Sequence, residues 1–420
     1  MDSRSYSRSP VSSANDALSE NWQPISGESS RAMASESPNI DNQPVVKRRR
    51  TLETIALGRD DWELVLTILA IKAVLFLFVG QGYQVLEDKR IAGLHGWLEI
   101  WNRWDAVNYI KLAQYGYSTA DQRKPLMVFY PLFPWTLRFC SIITGDYLVS
   151  AIIISTLASL AVGIFLRRLV QLDYSRQVAR RAVWFLFIFP TSYFLHIGYT
   201  ESLFLMLVLG CVLAARSQRW LQAGVLGGLS CLTRGSGLVL LPALVVEAAQ
   251  QYSTARRFQW RWLWIGVVGL GFGGYLLLNK LVAGDAFAFL QIRFEFYRIS
   301  LAWPWTAVRE AIGSMNRTPS QAEIIGMQEF LFIVLGFACT LLSWVKLRPI
   351  YSVWMTGNWL LVTSVSFVSS MPRYTLTMFP IYFLFALLAA RRVWFAVITV
   401  WSILYLGLFA SLFAWGRWAF

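Results

Sequence analysis

From residue 62 onward, apolar positions gather into runs of about twenty residues separated by short polar stretches, whereas residues 1–46 show no hydrophobic periodicity. About twenty apolar residues is the length of helix that crosses a hydrocarbon core. Helices are the form expected there, because lipid satisfies no backbone hydrogen bond. The pattern predicts about eleven spans, near 62–85, 147–166, 182–198, 200–215, 220–233, 236–251, 262–282, 329–345, 351–369, 374–390 and 393–415. Residues 126–143, "LMVFYPLFPWTLRFCSII", are apolar too, but Pro131, Pro134 and Arg138 predict a helix lying along the interface rather than a crossing.

Charge sets the expected orientation. "KRRR" at 47–50 precedes the first span, and further basic clusters fall at 167–181, 216–219, 256–261, 346–348 and 391–392. With the N-terminus in the cytoplasm and 126–143 outside, every cluster faces inward, as the positive-inside rule demands. The predicted organisation is a disordered, basic-ended cytoplasmic tail (1–50) and one membrane domain (51–420). That domain carries a first external loop with interfacial helices (86–146) and a second long external segment (284–328). The tail lacks the short apolar core of a signal peptide.

Composition agrees. Of 420 residues, 56% are hydrophobic and only 15% charged, against about a quarter charged in a soluble domain. The net charge of +14 resides in the clusters between spans, so it reads as topology and not as a nucleic-acid surface. Four cysteines in apolar runs and two separated histidines offer no metal-ligand spacing. "GLGFGG" at 269–274 fits a dinucleotide fingerprint but sits inside an apolar span with no strand before it. Its small-xxx-small spacing, Gly269 and Gly273, predicts close helix packing instead.

Ionisable residues that persist beside apolar sequence are the candidates for chemistry. In "WNRWDAVNY", Asp105 stands among Trp101, Arg103, Trp104, Asn108 and Tyr109. A helix would put Trp101, Asp105 and Asn108/Tyr109 on one face. This is either an interfacial aromatic belt with a solvated Asp105/Arg103 pair or a carboxylate base under an aromatic rim, suited to a sugar. Arg234 and Arg373 interrupt apolar sequence at outer span ends. Each is either a snorkelling side chain or a clamp for phosphate. Glu201, beside Tyr199 in "HIGYTES", orients an Arg or a hydroxyl, or simply opens a helix. No P-loop, G-x-S-x-G or H-E-x-x-H pattern is present.

The ordered motifs "RWDAVNYIKLAQYGY", "FYPLFP", "FPTSYFLHIGYTESLF" and "LTRGSGLVLLP", with weaker agreement at "PRY", resemble the PIG-V family, the second mannosyltransferase of GPI-anchor assembly, and its prokaryotic relatives. The resemblance implies an all-α, polytopic glycosyltransferase of the GT-C type, with an acidic catalytic residue in the first external loop at Asp105. It further implies a polyprenyl- or dolichyl-phosphate sugar as donor, usually mannose, and inversion at the sugar. The acceptor would be a glycolipid, glycan or protein, and the membrane the plasma membrane of a bacterium or the endoplasmic reticulum of a eukaryote. Where the family often has His, this chain has Asn108, which cannot titrate. No cofactor is implied beyond the donor, and a divalent metal is left open. The competing readings are a transporter or lipid flippase, and a non-catalytic membrane scaffold.

Overall fold

The computed structural model describes residues 58–317 and 326–419. The expected tail and part of the second external segment (318–325) lie outside the described residues. Asp105 and the other candidate residues lie within them.

The chain folds into helices α1 (Arg59–Glu87), α2 (Gly93–Glu99), α3 (Asp105–Tyr115), α4 (Leu132–Thr144), α5 (Tyr147–Gln171), α6 (Arg176–Ile188), α7 (Glu201–Arg216), α8 (Trp220–Thr233) and α9 (Leu240–Ala255). After them come α10 (Gly266–Ala283), α11 (Ala288–Tyr297), α12 (Pro304–Ser314), α13 (Glu329–Lys346), α14 (Pro349–Thr363), α15 (Met371–Thr377), α16 (Pro380–Leu388) and α17 (Arg392–Ala414). Short 3-10 turns at Asp121–Val128, Ser192–Leu195, Gly235–Val239 and Trp260–Ile265 join them. Local chemistry explains several boundaries. Asp146 caps α5 by accepting from the amides of Leu148 (2.7 Å) and Val149 (3.0 Å). Pro349, Pro372 and Pro380 sit in the first turns of α14, α15 and α16, where a missing amide costs nothing.

The protein is a polytopic, all-helical integral membrane protein, and at least five of its helices are long and apolar enough to be spans. Among the described residues, five helical segments are long and apolar enough to cross: Arg59–Glu87, Tyr147–Gln171, Trp260–Ala283, Gly326–Lys346 and Arg392–Ala414. Two bent pairs, Gln122–Val128 with Leu132–Thr144 at 113° and Met371–Thr377 with Pro380–Leu388 at 84°, raise this to seven if each is one span. The expected spans at 182–198, 200–215, 220–233, 236–251 and 351–369 hold helices of only 13 to 16 residues. A hydropathy run counts residues through the breaks at Phe189–Thr191 and Arg234, where the helices stop. Such short helices persist at depth because protein covers them. Leu205, Val208, Leu209 and Cys211 of α7 are wholly buried, so its ends find partners in protein instead of lipid.

Helix α8 approaches α10 through glycine, but not through the pair expected. No atom beyond the local backbone lies within 4 Å of where a side chain would start at Gly269 or Gly273. The tight crossing is at Gly271, where a Cβ would sit 1.9 Å from the carbonyl oxygen of Gly228. The GLGFGG run does serve packing, through its middle glycine, because that one faces α8.

Charged groups tie the helices at the end of the bundle away from Asp105. Arg216 at the end of α7 grips Asp173 bidentately (2.7 and 2.8 Å) and reaches the Tyr351 hydroxyl at 2.6 Å. Glu247 on α9, 1% exposed, accepts two bonds from Arg348 at 2.9 Å and one from Gln251 at 3.1 Å. Removing one partner of a buried pair leaves the other charge uncompensated, at a cost of about 3–5 kcal/mol. Glu247→Ala is therefore expected to lower the melting temperature of the purified protein far more than Glu310→Ala, whose salt bridge to Arg317 is exposed.

Candidate active site

Asp105 is the first residue of α3. Trp104, just before it, takes φ 53° and ψ −118°, a conformation that a bulky L-residue adopts only under strain. This sharp corner follows α2 and starts α3 at the carboxylate. The Asp105 side chain is 32% exposed and its Oδ2 accepts from Nη1 of Arg373, on α15, at 2.7 Å.

From Arg373 the contacts continue inward. Its Nε donates to Glu201 Oε1, and the same oxygen accepts from Nη1 of Arg234, which also lies 3.5 Å from the Thr200 hydroxyl. Glu201 opens α7 and is completely buried; its Oε2 has no partner among the described residues. Aromatic rings support the cations. Arg373 lies over Tyr199 (4.7 Å) and Phe194 (5.0 Å), and Arg234 over Tyr374 (5.3 Å) and Phe204 (5.8 Å). Asp105, Arg373, Glu201 and Arg234 thus form one chain of two carboxylates and two guanidiniums, formally balanced, with Asp105 at its open end.

The other candidates fall into distinct places. Trp101 precedes α3 and does not share its face. It is buried against Phe76 (4.7 Å), Phe413 (6.3 Å) and Tyr193 (6.4 Å), which makes it a wall behind the site, not a sugar platform. Arg103 makes no ion pair with Asp105. It contributes its carbonyl, which accepts from the Tyr199 hydroxyl at 3.0 Å, and its Nε has no partner among the described residues. Trp104 is exposed and meets Trp418 edge-on at 5.3 Å. Asn108 is half-buried, with no side-chain hydrogen bond among the described residues. Tyr109 is buried edge-on against Phe129 and Phe133, both at 5.2 Å, and Tyr199 at 6.2 Å. Burial, with the Asp105 charge adding to it, holds the Tyr109 phenol well above its ordinary pKa, so it stays neutral. No group of three or more His, Cys, Asp or Glu suited to a metal occurs among the described residues.

Four residues that the sequence did not single out complete the surroundings. Phe194 and Tyr374 carry the arginines, as described. Tyr297, on α11 of the second external segment, donates its hydroxyl to the Pro125 carbonyl at 3.4 Å, and desolvation, with the Asp105 charge adding to it, pushes its pKa up to about 12. Tyr130, from "FYPLFP", stacks on Tyr275 at 4.0 Å and pushes its hydroxyl against the turn that bears Arg234. The sequence signal for Tyr130, Phe194 and Tyr374 was no more than their place in the motifs that carry the family resemblance. A Cβ at Gly235 would lie 2.4 Å from the Tyr130 oxygen. Gly235→Ala is expected to destabilise the protein by about 1–3 kcal/mol through overpacking. Tyr130→Phe in the same chain should restore most of the loss in thermal melts.

Residues 123–273 match the family model of dolichyl-phosphate-mannose-protein mannosyltransferases. A stretch of 92 residues is 38% identical to GPI mannosyltransferase 2 of Yarrowia lipolytica (strain CLIB 122 / E 150), covering 21% of this chain and 26% of that protein. The chain therefore spans about a quarter of this relative's length. No solved structure matches. The family match includes Tyr130, Glu201 and Arg234, while Asp105 and Arg373 lie outside it. Together these similarities support the resemblance to PIG-V and other GT-C mannosyltransferases that the motifs carry.

Proposed function

We propose that the protein transfers a hexose, mannose by the precedent of its relatives, from a polyprenyl- or dolichyl-phosphate carrier to an acceptor hydroxyl on the extracytoplasmic or lumenal face. The observation that carries this reading is the Asp105–Arg373–Glu201–Arg234 chain, which joins a partly exposed carboxylate to two largely buried cations. The acceptor is a glycolipid, a glycan or a protein; the host decides whether the membrane is a plasma membrane or the endoplasmic reticulum.

In this reading Asp105 takes the proton of the acceptor hydroxyl as that oxygen bonds to the anomeric carbon. The bond from the anomeric carbon to the phosphate oxygen breaks on the opposite face, so the configuration inverts. The electrostatics favour the coupling. While Asp105 is ionised, Arg373 is committed to two carboxylates. Once the proton arrives, one of them is neutral, and the balanced cluster gains a net positive charge as the departing phosphate gains negative charge. Arg373 and Arg234 then stabilise the leaving group where its charge develops. Glu201 keeps both guanidiniums in place throughout, and the aromatic rings beneath them exclude water. Trp104, next to Asp105 in the chain, Asn108, three residues on in α3, and Tyr297 are the residues proposed to shape the sugar and acceptor site.

The test is turnover by the purified full chain with labelled polyprenyl- or dolichyl-phosphate mannose. Asp105→Asn keeps the shape and removes the base, so kcat is expected to fall by about 10²–10⁴ with the donor KM little changed. Wild-type turnover by Asp105→Asn would overturn the role given to Asp105. Arg373→Lys keeps a charge but loses the two-pronged geometry, and its kcat is expected to fall as well.

A further inference from the structure

At the far end of α1 from the Asp105 site, a cavity of about 230 Å³ opens between α1, α5 and α6. Its depth is apolar, lined by Leu64, Ile68 and Ile71 of α1 with Val183, Trp184 and Phe187 of α6. Its mouth is charged, with Asp60, Glu63, Arg167 and Arg180. From Asp60 to Ile71 the helix rises about 16 Å, so the groove runs from the helix end to roughly the middle of the span. A volume of 230 Å³ is below the ~300–1,000 Å³ of sites that engulf a drug-sized ligand. It suits one hydrocarbon chain with its head left outside.

The mouth divides into a tight and a slack part. Asp61, 2% exposed, is held by Arg167 and by Arg168 at 3.2 Å, and these close the protein's own charges. The outer groups are looser. Arg180, largely exposed, reaches Asp60 and Glu63 only at 3.4 Å each; Arg167 lies 3.5 Å and Arg176 3.8 Å from Asp60; Arg59 lies 3.6 Å from Glu63. Charge-assisted bonds close at about 2.7–2.9 Å, so these are contacts that a better partner can replace. A purely anionic headgroup would meet Asp60 and Glu63 as well as the arginines. A headgroup carrying both charges pairs its phosphate with Arg180 and Arg176 and its ammonium with Asp60 and Glu63.

We propose that this groove binds one zwitterionic glycerophospholipid from the leaflet next to the start of α1, with one acyl chain between α1 and α6 and the headgroup across Arg180, Asp60 and Glu63. The site is separate from the Asp105 cluster and does not depend on the activity proposed for it. By bridging α1 and α6 the lipid would act as a structural ligand, stabilising the fold in proportion to its occupancy.

The experiment is native mass spectrometry of the full chain, released from micelles containing equal amounts of phosphatidylethanolamine and phosphatidylglycerol with the same acyl chains. One phosphatidylethanolamine is expected to stay bound in preference to phosphatidylglycerol. Arg180→Gln, a surface change that leaves folding intact, is expected to weaken its retention about tenfold by removing the phosphate partner. Ile71→Trp, which fills the groove, is expected to abolish it. Preferential retention of phosphatidylglycerol would overturn the proposal in favour of a plain basic patch. Equal retention of both lipids, unaltered by Arg180→Gln, would overturn it in favour of an unspecific lipid annulus.

Discussion

A carboxylate removed from water and shared by two guanidinium groups holds this protein's polar centre together. Glu201 would be costly to bury alone, since an ion leaving water loses several kcal/mol of solvation. Arg234 and Arg373 offset that loss, and its position in the first turn of α7 adds the favourable field of a helix N-terminus. The arrangement works because each guanidinium lies on aromatic faces that fix its plane. Arg373 then has a second nitrogen to spare for Asp105. The carboxylate proposed as base is thus positioned from behind, by a largely buried arginine that Glu201 holds in turn.

The same physics, used twice, joins the two ends of the bundle. At one end the Asp105–Arg373–Glu201–Arg234 chain draws together α3, α7, the turn after α8 and α15. At the other, Asp61 ties α1 to α5, and Glu247 and Asp173 tie α9, α14 and α7. Between them lies apolar packing, with α7 as its inner helix. Short helices survive there because their neighbours supply what lipid cannot. That leaves helix ends inside the protein where a uniform set of long spans would have none, and the active-site candidates sit on such ends: Glu201 at the start of α7, Arg234 just after α8, Asp105 at the start of α3.

Much of this was legible beforehand because it depends on local chemistry. Proline and glycine positions mark helix boundaries, apolar runs mark membrane burial, and isolated charges beside them mark Asp105, Glu201, Arg234 and Arg373. Run length alone, however, cannot register a break in mid-run, so 182–198 and 200–215 read as two spans where short helices meet a buried corner. Periodicity likewise cannot say which side of a helix meets which neighbour. Gly269 and Gly273 satisfy the spacing rule, yet Gly271 makes the contact.

By itself, the amino-acid order determined that the chain is helical and lives in a membrane, and which few ionisable residues need an explanation there. Hydropathy and charge act on each segment independently of its partners, so they can be read one residue at a time. Only the tertiary structure decided that Arg373 and not Arg103 pairs with Asp105, that Trp101 is a wall, and that Tyr130 backs the turn that bears Arg234. The Arg373–Asp105 contact alone joins residues 268 positions apart, and a pairing between charges is set by where folding brings them, not by their spacing along the chain.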